Sequence, residues 1–161
     1  MAIELFSSQR FGYAVHALCY MAKKPPGALT TLPELAEWLG SIWASISETY
    51  LSNVIQRLAR GGVLRSHRGV AGGYSLAKPA EDLTMRDLIE LLEGVALQRC
   101  SLSLEGECPV QGLCGIQRKL RRIEQDYLQA LGRLSIAELA KDLKVKFPKT
   151  ATSKAKHGAA G

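Results

Sequence analysis

The chain has 161 residues, of which 47% are hydrophobic and 22% charged, and its formal charge is +6. These fractions fit one globular domain with an appendage and exclude a disordered or fibrous chain. No apolar run approaches the ~20 residues of a membrane span. Glu4 and Arg10 interrupt any signal-peptide core, so a cytoplasmic protein is expected. In that compartment cysteines serve metal or redox chemistry before structural disulfides.

The charge is unevenly placed. A large share lies in the Lys-rich stretch from Lys141 onward, which is a common solvated feature. The window from Thr49 to Ala80 says more. It holds Arg57, Arg60, Arg65, Arg68 and Lys78 and no acid, and it falls inside the patterned part of the chain.

In chain order, Ser7 or Ser8 can cap a first helix whose apolar face is Phe11, Val15, Leu18 and Ala22, and Pro25-Pro26-Gly27 ends it. Thr31-Leu32-Pro33-Glu34 reads as a capping box, with Glu34 reaching back to the cap, and Gly40 stops this second helix. A loop from Ser41 to Ser45 presents Ile42 and Trp43. The third helix, capped by Ser45 or Ser47, buries Leu51, Val54, Ile55, Leu58 and Ala59 and ends at Gly61-Gly62. Its other face is polar or cationic: Ser52, Asn53, Gln56, Arg57, Arg60. Two strands follow, Val63–Arg68 and Tyr74–Ala77, joined by Gly69-Val70-Ala71-Gly72-Gly73, whose glycines permit a tight hairpin. Thr84 caps a fourth helix over Met85–Glu93, ended by Gly94. After an irregular stretch, a long helix carries the stripe Ile116, Leu120, Ile123, Tyr127, Leu131, and Ser135–Leu143 forms a short last helix.

Three helices followed by a β-hairpin is the order of a winged helix. The expected fold is therefore mainly α with a small β-hairpin wing: a winged helix-turn-helix plus a long dimerisation helix. The third helix would enter the major groove, and the wing would reach the backbone or minor groove. The candidate DNA contacts are Ser47, Thr49, Tyr50, Ser52, Asn53, Gln56 and Arg57 on or before that helix, with Arg65, His67 and Arg68 on the wing. A winged helix can also serve as a protein-interaction module. The acid-free window covers both elements that would touch DNA, which favours double-stranded promoter DNA. The long-helix stripe is too apolar to be finished by so small a domain, so it should pair with its two-fold copy in a homodimer.

Three cysteines follow in the spacing Cys100-x7-Cys108-x5-Cys114. Thiolates are soft ligands that suit zinc or an iron–sulfur cluster, and an irregular Gly-containing loop can wrap a metal as a regular helix cannot. Structural zinc loops usually contain a tight two-residue spacing, and none occurs here. Cys19, one turn after His16, reads as a small core hydrophobe. Nothing supports catalysis or a small-molecule substrate. His16, His67 and His157 lack a nucleophile–base context, and the wing glycines do not open a helix as a nucleotide fingerprint would.

Residues 6–140 resemble the Rrf-type winged-helix transcription regulators, a group that includes iron–sulfur, nitric oxide and iron sensors. The likeness is carried by Ser7-Ser8, Tyr13-Ala14-Val15, Leu35-Ala36-Glu37 and Tyr50-Leu51-Ser52. It continues through Gly61-Gly62-Val63-Leu64-Arg65-Ser66 and the distinctive run Arg68-Gly69-Val70-Ala71-Gly72-Gly73-Tyr74-Ser75-Leu76. The resemblance implies a dimeric DNA-binding regulator, read here as a repressor, with an iron–sulfur cluster held by Cys100, Cys108 and Cys114. A 2Fe–2S cluster is preferred to 4Fe–4S. Its implied layout is a winged-helix domain over 1–94, a cluster-binding loop over 95–115, the dimerisation and terminal helices over 116–143, and a disordered basic tail over 144–161. The chain departs from the family in four places. The first cysteine gap is long. Gln117 stands where some members carry a histidine ligand, and Gly12 where others carry a first-helix carboxylate. Trp43 belongs to an insertion in the helix-turn-helix turn. His16, one turn beyond Gly12, is the candidate fourth ligand, with Glu105 and Glu107 as alternatives. A cluster-free thiol switch or a zinc-dependent regulator on the same scaffold is the rival reading.

Overall fold

The computed structural model describes residues 8–43, 46–70, 72–94, 113–144 and 146. Cys100, Cys108, Glu105, Glu107, most of the expected cluster loop and nearly all of the expected tail lie outside the described residues. Six helices and one hairpin make up the rest: α1 (Gln9–Ala22), α2 (Leu32–Gly40), α3 (Glu48–Arg60), β1 (Leu64–His67), β2 (Gly73–Leu76), α4 (Met85–Leu92), α5 (Gly115–Arg133) and α6 (Ile136–Asp142), with a 3-10 turn at Ala80–Asp82. This is the winged-helix order expected from the sequence.

The hydrophobic core is built around α1. The expected stripe of Phe11, Val15, Leu18 and Ala22 is only part of its buried surface. Tyr13, Ala14, Ala17, Cys19, Tyr20 and Met21 are buried as well. The reason is that α3, α4 and α6 all pack against it, so α1 is enclosed on more than one side. Leu35, Leu39, Leu51, Ile55, Leu58, Leu83, Leu88, Leu92 and Ile136 complete the interior. Cys19 is part of that core, as read. Burial pushes its thiol up to about 11, so it stays a protonated, unreactive group near neutral pH.

Local chemistry fixes most ends, and two expectations change. Thr31, Ser47, Thr84 and Ser135 each accept a backbone N–H into the first turn of their helices. Only Thr84 forms the full capping box, with the Asp87 carboxylate returning to its backbone N–H. Glu34 does not reach back to Thr31. Its Oε1 instead accepts from Tyr20 Oη (2.6 Å) and Lys24 Nζ (2.7 Å), and Lys24 also donates to the carbonyl of Leu29. A buried ion pair takes precedence over a cap because each charge needs a partner once desolvated. Ser8 occupies the cap position of α1 without a cap bond, and its hydroxyl donates to Glu93.

The hairpin pairs Leu64 with Leu76, Arg65 with Ser75, Ser66 with Tyr74 and His67 with Gly73. The first strand is two residues shorter than expected from sequence, and the second has the expected length but begins one residue earlier. A third segment joins them at one point, where Thr30 and Tyr74 exchange both backbone hydrogen bonds at 2.8 Å. That close approach requires glycine at position 73, since a Cβ there would lie 2.9 Å from the Thr30 oxygen. The wing is thereby anchored to the chain just before α2.

The C-terminal part of α5 buries Leu128 and Leu131. Its N-terminal half keeps large apolar side chains exposed. Leu113, Ile116, Leu120 and Ile123 are 82%, 74%, 60% and 66% exposed. Ile116, Leu120 and Ile123 at helical spacing, with Leu113 just before the helix, leave an apolar patch of the kind that marks an interface.

Candidate nucleic-acid interface and cysteine segment

The N-terminus of α3 is set by an aromatic contact that the sequence does not announce. Tyr13 of α1 accepts the Ser47 N–H at its hydroxyl (3.1 Å), and its ring meets Tyr50 edge-on at 5.4 Å. Ser47 Oγ accepts the Tyr50 N–H. Ser47 and Tyr50, both candidate DNA contacts, therefore have structural work at the start of the helix, and the Tyr50 ring is half-buried. Thr49, Asn53 and Gln56 are exposed and Ser52 is half-buried, with Gln56 Nε2 donating to Ser52 Oγ at 3.2 Å. These four present donors and acceptors on one open face. Arg57 is placed differently from the expectation. Its Nε and Nη2 donate to the carbonyl of Leu91 on α4, at 3.3 and 3.0 Å.

On the wing, Arg65 and Arg68 are exposed and Val70 stands fully clear at the tip. His67 is half-buried, with Nε2 2.9 Å from Ser75 Oγ on the facing strand. The turn depends on two glycines. Gly69 has φ +108°, and a Cβ on Gly72 would fall 2.5 Å from the His67 carbonyl oxygen. The wing thus keeps its shape with bonds of its own and leaves Arg65 and Arg68 outward.

Of the expected cluster ligands, Cys114 and His16 are described. Cys114 is the residue before α5, half-buried, a free thiol whose side chain makes no cap hydrogen bond. His16 Nδ1 lies 2.7 Å from the carbonyl oxygen of Gly12. A carbonyl only accepts, so Nδ1 is the donor, which leaves Nε2 as the ring nitrogen that could bind a metal. That is the orientation in which a histidine serves as a metal ligand. The Trp43 ring, 41% exposed, meets the His16 ring edge-on at 4.8 Å. Among the described residues no three His, Cys, Asp or Glu side chains converge on a metal position. The donor types nonetheless fit a cluster: a soft sulfur at the head of α5 and an imidazole nitrogen already oriented by its other ring nitrogen.

A model of the Rrf2 family, described as iron-dependent transcriptional regulators, matches residues 7–142. The chain belongs to the Rrf2 family. Solved structures agree with this. The global cysteine regulator CymR (YrzC) of B. subtilis is 26% identical, with a TM-score of 0.67, over 85% of this chain and 97% of that one. Staphylococcus aureus CymR is 27% identical, with a TM-score of 0.61, over 86% and 100%. The IscR of T. potens is 27% identical, with a TM-score of 0.62, over 85% and 87%. This Rrf2 protein is accordingly a winged-helix, DNA-binding transcription regulator. No helix among its described residues is long and apolar enough to cross a membrane.

Proposed function

We propose that this regulator binds promoter DNA as a homodimer and that an iron–sulfur cluster on its cysteine segment controls the binding. The DNA reading is carried by one arrangement: the exposed amides and hydroxyls of α3 (Thr49, Ser52, Asn53, Gln56) share an acid-free stretch with the exposed wing arginines, Arg65 and Arg68. Asn and Gln read base edges in the major groove, and Arg suits phosphate or a narrow minor groove. The dimer is supported by the open apolar face of Ile116, Leu120 and Ile123 on α5, with Leu113 exposed just before it, which a two-fold copy would cover.

Cys100, Cys108 and Cys114 would hold the cluster, with His16 as the fourth ligand. The cluster supplies a redox- and iron-responsive centre. The protein's own part is to present three thiolates and one neutral imidazole, the last oriented by Gly12. A 2Fe–2S cluster suits a site with one nitrogen ligand. A second reading is a thiol switch without a cluster, favoured by the likeness to the cysteine regulators, one of which has been crystallised in an oxidized form. Anaerobic purification followed by visible spectroscopy and iron and sulfide analysis separates the two. A coloured protein with iron and sulfide whose DNA affinity changes on cluster removal supports the first reading. A colourless protein whose affinity responds to oxidants establishes the second.

A further inference from the structure

The last turn of α4 is gripped from two sides. From α1, Arg10 Nη1 donates to the carbonyl of Leu92 (3.0 Å) and Ser8 Oγ donates to the Glu93 carboxylate (3.1 Å). From α3, the Arg57 guanidinium places two donors on the carbonyl of Leu91. The Leu91 side chain also fills the space beside Gly61 at the end of α3, where an added Cβ would lie 2.4 and 2.5 Å from its two methyl carbons. At Gly94, with φ +75°, the chain then turns into residues 95–112, which contain Cys100 and Cys108.

We propose that Arg57 is a positioning residue, a strut that couples the DNA-reading helix to the base of the cysteine segment, and not a phosphate contact. The inference rests on the reading of that segment as the sensor. Three observations carry it. The final carbonyls of a helix have no donor within the helix, so Leu91 needs one from outside, and Arg57 meets that need with both arms. The C-terminal end of α4 carries the negative pole of its dipole, which holds a cation in place. The Gly61–Leu91 contact joins the same two helix ends by packing alone, so the junction does not depend on charge. A displacement of the α4 end is thereby passed to α3, whose side chains face DNA. A Cβ at position 61 would displace the Leu91 side chain from this contact, although the glycine's own φ of −81° would suit any residue.

The test compares the wild type with Arg57→Gln and Gly61→Ala. DNA affinity is measured for the cluster-loaded protein and for protein stripped by chelator, across a range of salt. The strut predicts that Arg57→Gln keeps the salt slope of the wild type while its loaded-to-stripped affinity ratio collapses several-fold toward one. Gly61→Ala, which changes no charge, should do the same. A slope smaller by about 0.9 with the ratio intact would identify Arg57 as a phosphate contact and overturn the proposal. A wild type with equal affinities in both states overturns the sensing reading itself. Amide hydrogen exchange provides a measure independent of the cluster. Both variants should exchange faster at the end of α3 and in the last turn of α4 together, and unchanged protection there would refute the strut whatever the cluster does.

Discussion

Neutralising the wing is the sharpest probe of the DNA-binding surface. Arg65 and Arg68 are both exposed, and no ion pair involves either among the described residues. Replacing both with Gln should cost little stability, within about 0.5 kcal/mol. The effect on DNA can be worked from counterion release. Each phosphate contact contributes about 0.9 to the slope of log K against log salt, so losing two lowers the slope by about 1.8. At about 0.1 M salt that corresponds to roughly 60-fold in affinity, or about 2.4 kcal/mol. The assay is fluorescence anisotropy on a labelled duplex over a salt series, with thermal melting as the folding control. Non-specific duplex suffices, because phosphate contacts are independent of sequence. An unchanged slope in the doubly substituted protein would show that the wing does not touch the backbone, and the placement of DNA against β1 and the turn would have to be abandoned.

Four further outcomes follow from the structure. Glu34→Ala strands the buried Lys24 and Tyr20 and should cost about 3–5 kcal/mol, read as a fall of about 10 °C in the melting temperature; a loss under 1 kcal/mol would mean the pair is better solvated than its geometry indicates. Ile123→Asp should convert the dimer to monomers with weak half-site binding, and a wild type that is monomeric at micromolar concentration in light scattering would remove the premise. His16→Ala should weaken iron retention at least about tenfold, while an unchanged cluster spectrum and lifetime would hand the fourth position to Glu105, Glu107 or solvent. Cys19 ionises near 9.0 when unfolded and at about 11 when folded. The unfolded chain therefore loses its proton first, and stability should fall by about 1.4 kcal/mol per pH unit across that window. Cys19→Ala should abolish that part of the slope, and a slope identical in the two proteins would contradict the assignment.

The elements were legible because their signals are local. Caps at Thr31, Ser47, Thr84 and Ser135, breakers at Gly40 and Gly94, and the spacing within α3 and α5 all act over a few residues. What was not legible depends on residues distant in the chain. Glu34 has the position of a capping-box residue, but its partners Tyr20 and Lys24 come from the preceding helix, and burial decides between the two uses. Arg57 has the sequence position of a DNA contact and the geometry of a link to α4, because Leu91, 34 residues away, presents it a carbonyl. Thr30 gave no strand signal, since a single residue bridging to Tyr74 has no periodicity to read. For the sensing site, the cysteine spacing was plain in the sequence. The orientation of His16, with Nδ1 donating to the Gly12 carbonyl, was not, since it follows from one backbone hydrogen bond that only the folded helix provides.

In the proposed reading, the cysteine segment's position in the chain between α4 and α5 gives a local change there a route to DNA. Each end of α4 is fixed to a different part of the molecule. At its start, Met85 N–H donates to the Leu134 carbonyl and Ile136 N–H to the Leu83 carbonyl, so the beginning of α4 and the junction of α5 and α6 move as one. At its finish, Arg10 and Arg57 hold it to α1 and α3. The C-terminal part of α5 is thus bound to the winged-helix body, with Leu128 and Leu131 buried against it. The remainder of this 19-residue helix, about 28 Å long in all, carries its apolar face into the open. The cysteine segment connects the anchored end of α4 to the free end of α5. A constraint that shortens or releases that connection acts on α5 at the greatest distance from its anchor, where a small displacement turns the dimer face most. In the proposed dimer, that rotation sets the separation of the two α3 helices. Operators demand half-sites at a fixed spacing, so in the proposed dimer a change of a few ångströms at the segment would add a rigid-body shift between protomers to the displacement passed to α3 through Arg57.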